Sequence, residues 1–247
     1  MKKIIFANQK GGVGKTTTCR EIGIYFASVG KKILFIDADP QGNLTNGLII
    51  NDKKNGLFEA MTDQEYIFKK YSDNIYILSG DSRLSGLSKS LVGEIDAYTR
   101  LKAVLLNDRF DTFDYIFIDS LPGFDTLMIN CLSASTDVII PMNPAEYTLQ
   151  GTNELLLSIT KVKSNYNPVI DITGVIINEY DPRPIITREI REEIQSVFGE
   201  KVFNTMLSKT VKIEDAISQK IGIMYLHEKA KEEITSISNE LLKRLEG

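Results

Sequence analysis

Short continuous apolar runs recur along this chain, and between them apolar residues return every three or four positions. The runs Ile4–Ala7, Lys32–Ile36, Ile75–Leu78, Phe113–Asp119, Asp137–Pro141 and Ile172–Asn178 read as buried strands, with Lys201–Leu207 as an edge strand. Helical spacing follows Lys15 (Cys19, Ile22, Tyr25 or Phe26, Val29) and continues in Leu84–Leu106, with breaks at Gly86 and Gly93. Further helices are expected over Asp125–Ser135, from Glu146 to about Ser164, from the Arg183 region to Phe198, and over Glu228–Leu245. Leu57–Met61 and Tyr66–Lys70 suggest short helices. Strands alternating with helices predict an α/β fold, a mostly parallel twisted sheet flanked by helices. No linker, repeat or low-complexity tract interrupts the pattern, so residues 1–247 read as a single domain.

The first strand runs into Lys10-Gly11-Gly12-Val13-Gly14-Lys15-Thr16-Thr17 and a helix begins there. A glycine-rich turn at this place lets the backbone wrap a phosphate while the helix-start N–H groups point at the negative charge. Lys15 can reach the β- and γ-phosphates, and the Thr16 hydroxyl can join the coordination of Mg²⁺. The general pattern G-x-x-x-x-G-K-[ST] is not strictly met, because Gln9 stands where its first glycine belongs. A second lysine, Lys10, precedes the paired glycines instead.

Two further strands end in acids. The second runs into Asp37-Ala38-Asp39-Pro40-Gln41-Gly42-Asn43, and Phe113–Ile118 runs into Asp119. Carboxylates at strand ends lie at the edge of a parallel sheet where ligands bind. The first group also suits a turn capping the next helix. Asp119 reads as a Walker B acid that holds Mg²⁺ through a water, because Mg²⁺ dehydrates reluctantly.

Lys-Gly-Gly-x-Gly-Lys-Thr-Thr is the deviant Walker A signature, and with Asp-x-Asp-Pro-Gln-Gly-Asn the chain resembles the ParA/MinD/Soj family of P-loop ATPases, most closely its Soj-like members. The resemblance runs from Lys3 to the final helix, and it implies ATP and Mg²⁺ as ligands. It makes Asp39 the residue that positions or polarises the attacking water, and Asp37 a partner of the metal site or of the loop. By the same resemblance Lys10 reaches from one subunit to the phosphates of the other in an ATP-sandwich homodimer, and Asn178 reads the adenine edge through its donor and acceptor together. An asparagine in a turn is the competing reading of Asn178. After Asp119 the family often has a small residue and then Pro-Pro; here Ser120-Leu121-Pro122-Gly123 keeps one proline and a glycine. The iron–sulfur relatives that share this fold need a cysteine shortly after Asp119, where this chain has Thr126.

The family further implies nonspecific DNA binding by the dimer and a centromere-binding, ParB-type partner that stimulates hydrolysis. Lys209, Lys212 and Lys220 occupy the region that is arginine-rich in DNA-binding members; a solvated helix face is the competing reading, and Arg183, Arg188 and Arg191 are the next candidates. A net charge of −4 argues against coating of nucleic acid along the whole surface but leaves room for a local patch. The early first strand leaves no room for a signal peptide or for an N-terminal helix-turn-helix, and two distant cysteines suit a reducing compartment. The expectation is therefore a cytoplasmic protein, nucleoid-associated when bound to ATP. The alternative is a MinD-like ATPase acting on a membrane surface, since Leu241-Leu242-Lys243-Arg244-Leu245 resembles its targeting tail. Continuity of that segment with the last helix favours core packing and no stable membrane association. A small-molecule ligase of the dethiobiotin or cobyrinate synthetase kind shares the loop without an evident need for Lys10.

Overall fold

The computed structural model describes residues 1–48, 50–181, 183–210, 212–219 and 221–246. Seven strands form one sheet: β1 (Lys2–Phe6), β2 (Ile33–Asp37), β3 (Lys69–Ser72), β4 (Ile75–Leu78), β5 (Tyr115–Asp119), β6 (Asp137–Met142) and β7 (Asp171–Ile177). Their order is β3-β4-β2-β5-β1-β6-β7, parallel throughout except for the β3–β4 pair. The register sets Asp119 opposite both Phe6 and Asp37, so the last rungs of β1, β2 and β5 bring the two acids side by side at the C-terminal edge.

Period-two alternation splits each strand between two cores. Ile4, Phe6, Ile33, Phe35 and Phe117 face α1 (Lys15–Ser28), while Ile5, Leu34, Ile36, Ile116 and Ile118 face the opposite layer. α1 lies close on the sheet because Gly23 has no Cβ; one would stand 2.2 Å from the Phe35 ring. Two short helices, α2 (Asn43–Gly47) and α3 (Leu57–Ala60), follow β2. The opposite layer also holds α4 (Leu84–Ser90), α5 (Arg100–Val104), α6 (Thr126–Ala134) and α7 (Leu149–Asn165), and then come α8 (Ile185–Phe198), α9 (Lys212–Ser218) and α10 (Glu228–Glu246). Both cysteines are buried in the cores.

Four expectations are corrected. Lys201–Leu207 makes no regular edge strand, only single bridges, Val175 to Val202 and Tyr180 to Ser208. Phe203 and Leu207 still donate to the Val175 and Ile177 carbonyls of β7, but side chains of α10 take other bonds of the segment: the Arg244 guanidinium donates to the carbonyls of Thr173, Glu200, Lys201 and Val202, and Glu240 accepts the Asn204 N–H. Tyr66–Lys70 is not a helix. Tyr66 and Phe68 place their rings against Phe110, and the chain then enters β3. Gly86 does not break α4; the helix runs through it to Ser90, and the left-handed turn comes at Gly93. The helix expected from Glu146 begins at Leu149, after a 3-10 turn over Pro144–Glu146.

The apolar stripe of α10 is spent on the core as expected, with Ala230, Ile234, Ile237, Leu241 and Leu245 buried. Among the described residues no helix is long and apolar enough to cross a membrane.

Candidate active site

The phosphate loop is braced before any ligand is considered. The Asn8 side chain accepts from the Lys10 N–H (3.1 Å) and donates to the Pro141 carbonyl (2.8 Å), tying the loop to β6. Gly14 caps α1 in the left-handed region at φ +86°, which glycine adopts without strain. Behind it the Asn178 amide donates to the Val13 carbonyl (2.8 Å) and to the Thr18 hydroxyl (2.9 Å); a Cβ on Gly14 would stand 2.5 Å from that nitrogen. Lys15, Thr16 and Thr17, the first residues of α1, line the cleft, where a helix start favours an anion.

The expectation for Asn178 uses donor and acceptor together; in this structure the two are not equally free. Its donor is committed to the loop, and Oδ1 is buried and, among the described residues, without a hydrogen-bond partner. It can accept from a ligand and cannot also donate.

The two lysines of the signature behave differently. Lys15 is buried, and its ammonium donates to the Lys10 carbonyl (2.8 Å). Burial lowers its pKa from the ordinary value, against the pull of Asp119 and Asp39. Lys10 sits at the rim, where its ammonium donates to the Glu146 carbonyl of the same chain.

The three acids divide their work by environment. Asp37 is fully buried and accepts from the Thr45 N–H (2.8 Å), the Thr45 hydroxyl (2.6 Å) and the Asp39 N–H (3.2 Å). It fastens α2 to the end of β2, and burial outweighs these bonds to push its pKa up to about 6. Asp39 accepts from the Gln41 N–H (2.9 Å) in a tight turn and lines the cleft. Asp119 has both carboxylate oxygens buried and, among the described residues, without a hydrogen-bond partner. Burial and the neighbouring Asp37 push its pKa well above the usual carboxylate range, while the Thr16 hydroxyl and Lys15 pull it down. Orphaned oxygens beside a hydroxyl and a lysine fit a hydrated Mg²⁺. Among the described residues no cluster of three or more His, Cys, Asp or Glu side chains could hold a metal alone, so the other positions fall to phosphate and water.

The Ser120–Gly123 departure keeps its tie to the loop. The Ser120 hydroxyl donates to the Phe6 carbonyl (2.7 Å), and the Gly123 N–H donates to the Gln9 carbonyl (2.8 Å). Gly11, Gly12, Lys15, Thr16, Asp39 and Pro122 then line an open cleft of about 1270 Å³. A neighbouring pocket of about 440 Å³ lies between Thr18, Asn178 and the segment Leu207–Thr210. Gly14, Thr17 and Glu179 line both.

Residues that sequence reasoning passed over hold these parts together. Arg20 is completely buried on α1; it donates to the Gly47 carbonyl (3.1 Å) at the end of α2 and to the Ile221 carbonyl (2.9 Å), and pairs with the equally buried Glu21. Glu21 in turn accepts from the Ile223 N–H (2.8 Å). Nothing in an Arg-Glu pair on a helix announces burial. Thr45 could have been found as the hydroxyl that follows the Asp-rich turn.

The expected DNA residues are not gathered in this way. Lys209 is exposed and lies 3.8 Å from Glu179; Lys212 is exposed and lies 3.2 Å from Asp215. Lys220 lies outside the described residues. Arg183 is folded onto Asp181, and Arg188 and Arg191 are exposed on α8.

Residues 1–172 match the family described as AAA domain. The chromosome-partitioning ATPase Soj of Treponema pallidum is 35% identical over 232 residues, 90% of this chain and 88% of that protein. The chain belongs to the Soj/ParA family of partitioning ATPases. The Soj/ParA fold is also that of the ATP complex of a McdA variant from Cyanothece (TM-score 0.84, 25% identity, 98% of this chain and 96% of that one). Cobyrinic acid a,c-diamide synthase from Mycobacterium smegmatis with bound ADP and magnesium is similar too, at TM-score 0.77 and 27% identity over 94% of this chain and 97% of that one. In this Soj/ParA chain the phosphate loop and Asp39 line one cleft, and Asp119 lies at the neighbouring strand end beside Asp37.

Proposed function

We propose that this Soj/ParA ATPase closes on ATP as a homodimer, binds DNA without sequence preference in that form, and segregates a plasmid or chromosome with a ParB-type partner that stimulates hydrolysis. Lys15 and the N–H groups at the start of α1 hold the phosphates, and Thr16 and Asp119 hold Mg²⁺, Asp119 through water. When bound, Mg²⁺ neutralises charge on the phosphate oxygens. Asp39, at the cleft edge, orients the water that attacks the γ-phosphate.

One observation carries the dimer reading. The Gly11–Gly12 ridge is open: a Cβ built on either glycine meets nothing within 4 Å, and Lys10 stands beside it at the rim. The ridge is thus open on its outer side, which supports a second copy facing it. Breaking the single bond from Lys10 to Glu146 frees its ammonium to reach the partner's phosphates, offset their mutual repulsion and stabilise transition-state charge as an arginine finger does. The likeness to the diamide synthase covers fold and loop; Lys10 beside the open ridge, with the complete Asp-x-Asp-Pro-Gln-Gly-Asn segment, supports partition instead.

The test is light scattering and DNA binding with Asp39→Ala held in ATP. An ATP-dependent dimer that binds unrelated DNA duplexes alike at low salt is expected, and Gly12→Val should bind ATP yet stay monomeric, because its side chain occupies the facing surface. Absence of DNA binding by the ATP-loaded Asp39→Ala dimer would overturn the partition reading, and pelleting with liposomes would then support the membrane alternative.

A further inference from the structure

Glu179 stands at the seam between the phosphate cleft and the neighbouring pocket, lining both together with Gly14 and Thr17. We propose that Glu179 reads the ribose of the bound nucleotide through its vicinal hydroxyls, an inference that rests on the nucleotide reading of the cleft. A nucleotide with its phosphates on Lys15 and Thr16 and its base beside Asn178 must carry its sugar across this seam.

Two penalties point to a task for this side chain. Its backbone sits at φ +51°, a left-handed conformation that a glutamate adopts only under strain. Its negative charge also lies along a cleft built for a polyanion, which costs binding energy unless the carboxylate meets a donor. A carboxylate only accepts hydrogen bonds. A nucleoside triphosphate offers donors in two places, an exocyclic amine on the base and the hydroxyls of the sugar. Deeper in the pocket the orphaned Oδ1 of Asn178 is a neutral acceptor suited to the amine. Glu179, at the seam, is suited to the diol.

Its surroundings pre-set this geometry. Asn143 donates to Oε2 (3.3 Å), and the Lys209 ammonium approaches the same oxygen (3.8 Å) from the far wall of the pocket. Oε1 is left for a ligand among the described residues, and Lys209 offsets the charge that would otherwise face the phosphates. The far wall keeps its spacing because the Leu207 N–H donates to the Ile177 carbonyl (2.9 Å) and the Tyr180 N–H donates back to the Leu207 carbonyl (2.9 Å). Glu179 is held by backbone on one side and by two side chains on the other.

Calorimetric titration of ATP, 2′-deoxy-ATP and 3′-deoxy-ATP tests the assignment in the parent chain, Glu179→Gln, Glu179→Ala and Glu179→Gly. The parent should prefer ATP over each deoxy analogue by roughly tenfold or more, the range of a hydrogen bond to a charged group. Glu179→Gln should keep part of that preference, and Glu179→Ala and Glu179→Gly should bind all three alike. Glu179→Gly relieves the left-handed strain, so a thermal midpoint no lower than the parent's separates lost discrimination from lost folding. Equal affinity of the parent for the three nucleotides, or a parental ratio surviving in Glu179→Ala and Glu179→Gly, would overturn the ribose assignment and leave the nucleotide reading standing. Failure of the parent to bind any of the three would overturn both.

Discussion

The phosphate cleft and the lysine-bearing surface beyond β7 are built on opposite plans. In the cleft Lys15, Asp37 and Asp119 are buried, and the backbone holds them: strand register sets Asp37 beside Asp119, and a helix start presents Lys15. On the surface Lys209 and Lys212 are exposed, each near an acid whose side chain is itself half exposed. A buried charge is committed to a task because leaving it idle is costly. An exposed ion pair contributes little and exchanges readily, so its lysine is free for another partner. The cleft should therefore fail abruptly when one group is removed, and the surface should weaken by degrees.

The largest break in that contrast is Lys15→Ala. Loss of charge-assisted bonds to two phosphates should weaken ATP binding roughly a thousandfold; calorimetry showing near-parental affinity would remove Lys15 from the site. Asp39→Ala comes next. Hydrolysis should fall about a hundredfold or more while ATP affinity is retained, since the residue orients water and does not hold phosphate. A mutant that is monomeric with ATP would make Asp39 structural instead.

The third test uses acid. The folded-state pKa of Asp37 is raised from 3.8 to about 6, so the folded chain keeps a proton that the unfolded chain has released. Stability from this group is complete below the unfolded value and is lost as pH rises through about 6, on the order of 3 kcal/mol. Asp119, shifted the same way, extends the loss to higher pH. Denaturant unfolding of the nucleotide-free protein at pH 5 and 7.5 should show the decline, and Asp37→Asn should flatten it; an unchanged slope in that variant would locate the effect elsewhere. The smallest effect belongs to the surface. Lys209→Glu and Lys212→Glu should each reduce the salt dependence of DNA binding by about one unit of logarithmic slope. An unchanged slope would move the DNA surface to Arg183, Arg188 and Arg191.

The same contrast explains what was legible in the chain. Lys15, Thr16 and Asp119 stand at junctions between neighbouring strands and helices, where local pattern and chemistry coincide. The sheet was readable for the same reason, since its inner strands are continuous apolar runs. Lys201–Leu207 was misread because several of its hydrogen bonds are decided by Arg244 and Glu240, some forty residues on. Residues 66–70 were misread because ring packing against Phe110, and not local spacing, decides their course. The tie of Asn178 to the phosphate loop is not legible in the chain, because its donor is committed to Val13 and Thr18, some 160 residues away. The positive φ of Glu179 leaves no trace in residue type.

The buried pair of Arg20 and Glu21 bears on the order in which this protein can be made. Its acceptor at Ile221 and its donor at Ile223 are translated some two hundred residues later. A nascent chain that has already exposed the whole phosphate loop thus still carries two charges on α1 whose final partners have not been synthesised. Desolvating them early is unfavourable, so α1 should settle onto the sheet only after the segment leading into α10 arrives. ATP should then meet a finished loop only on a nearly finished chain.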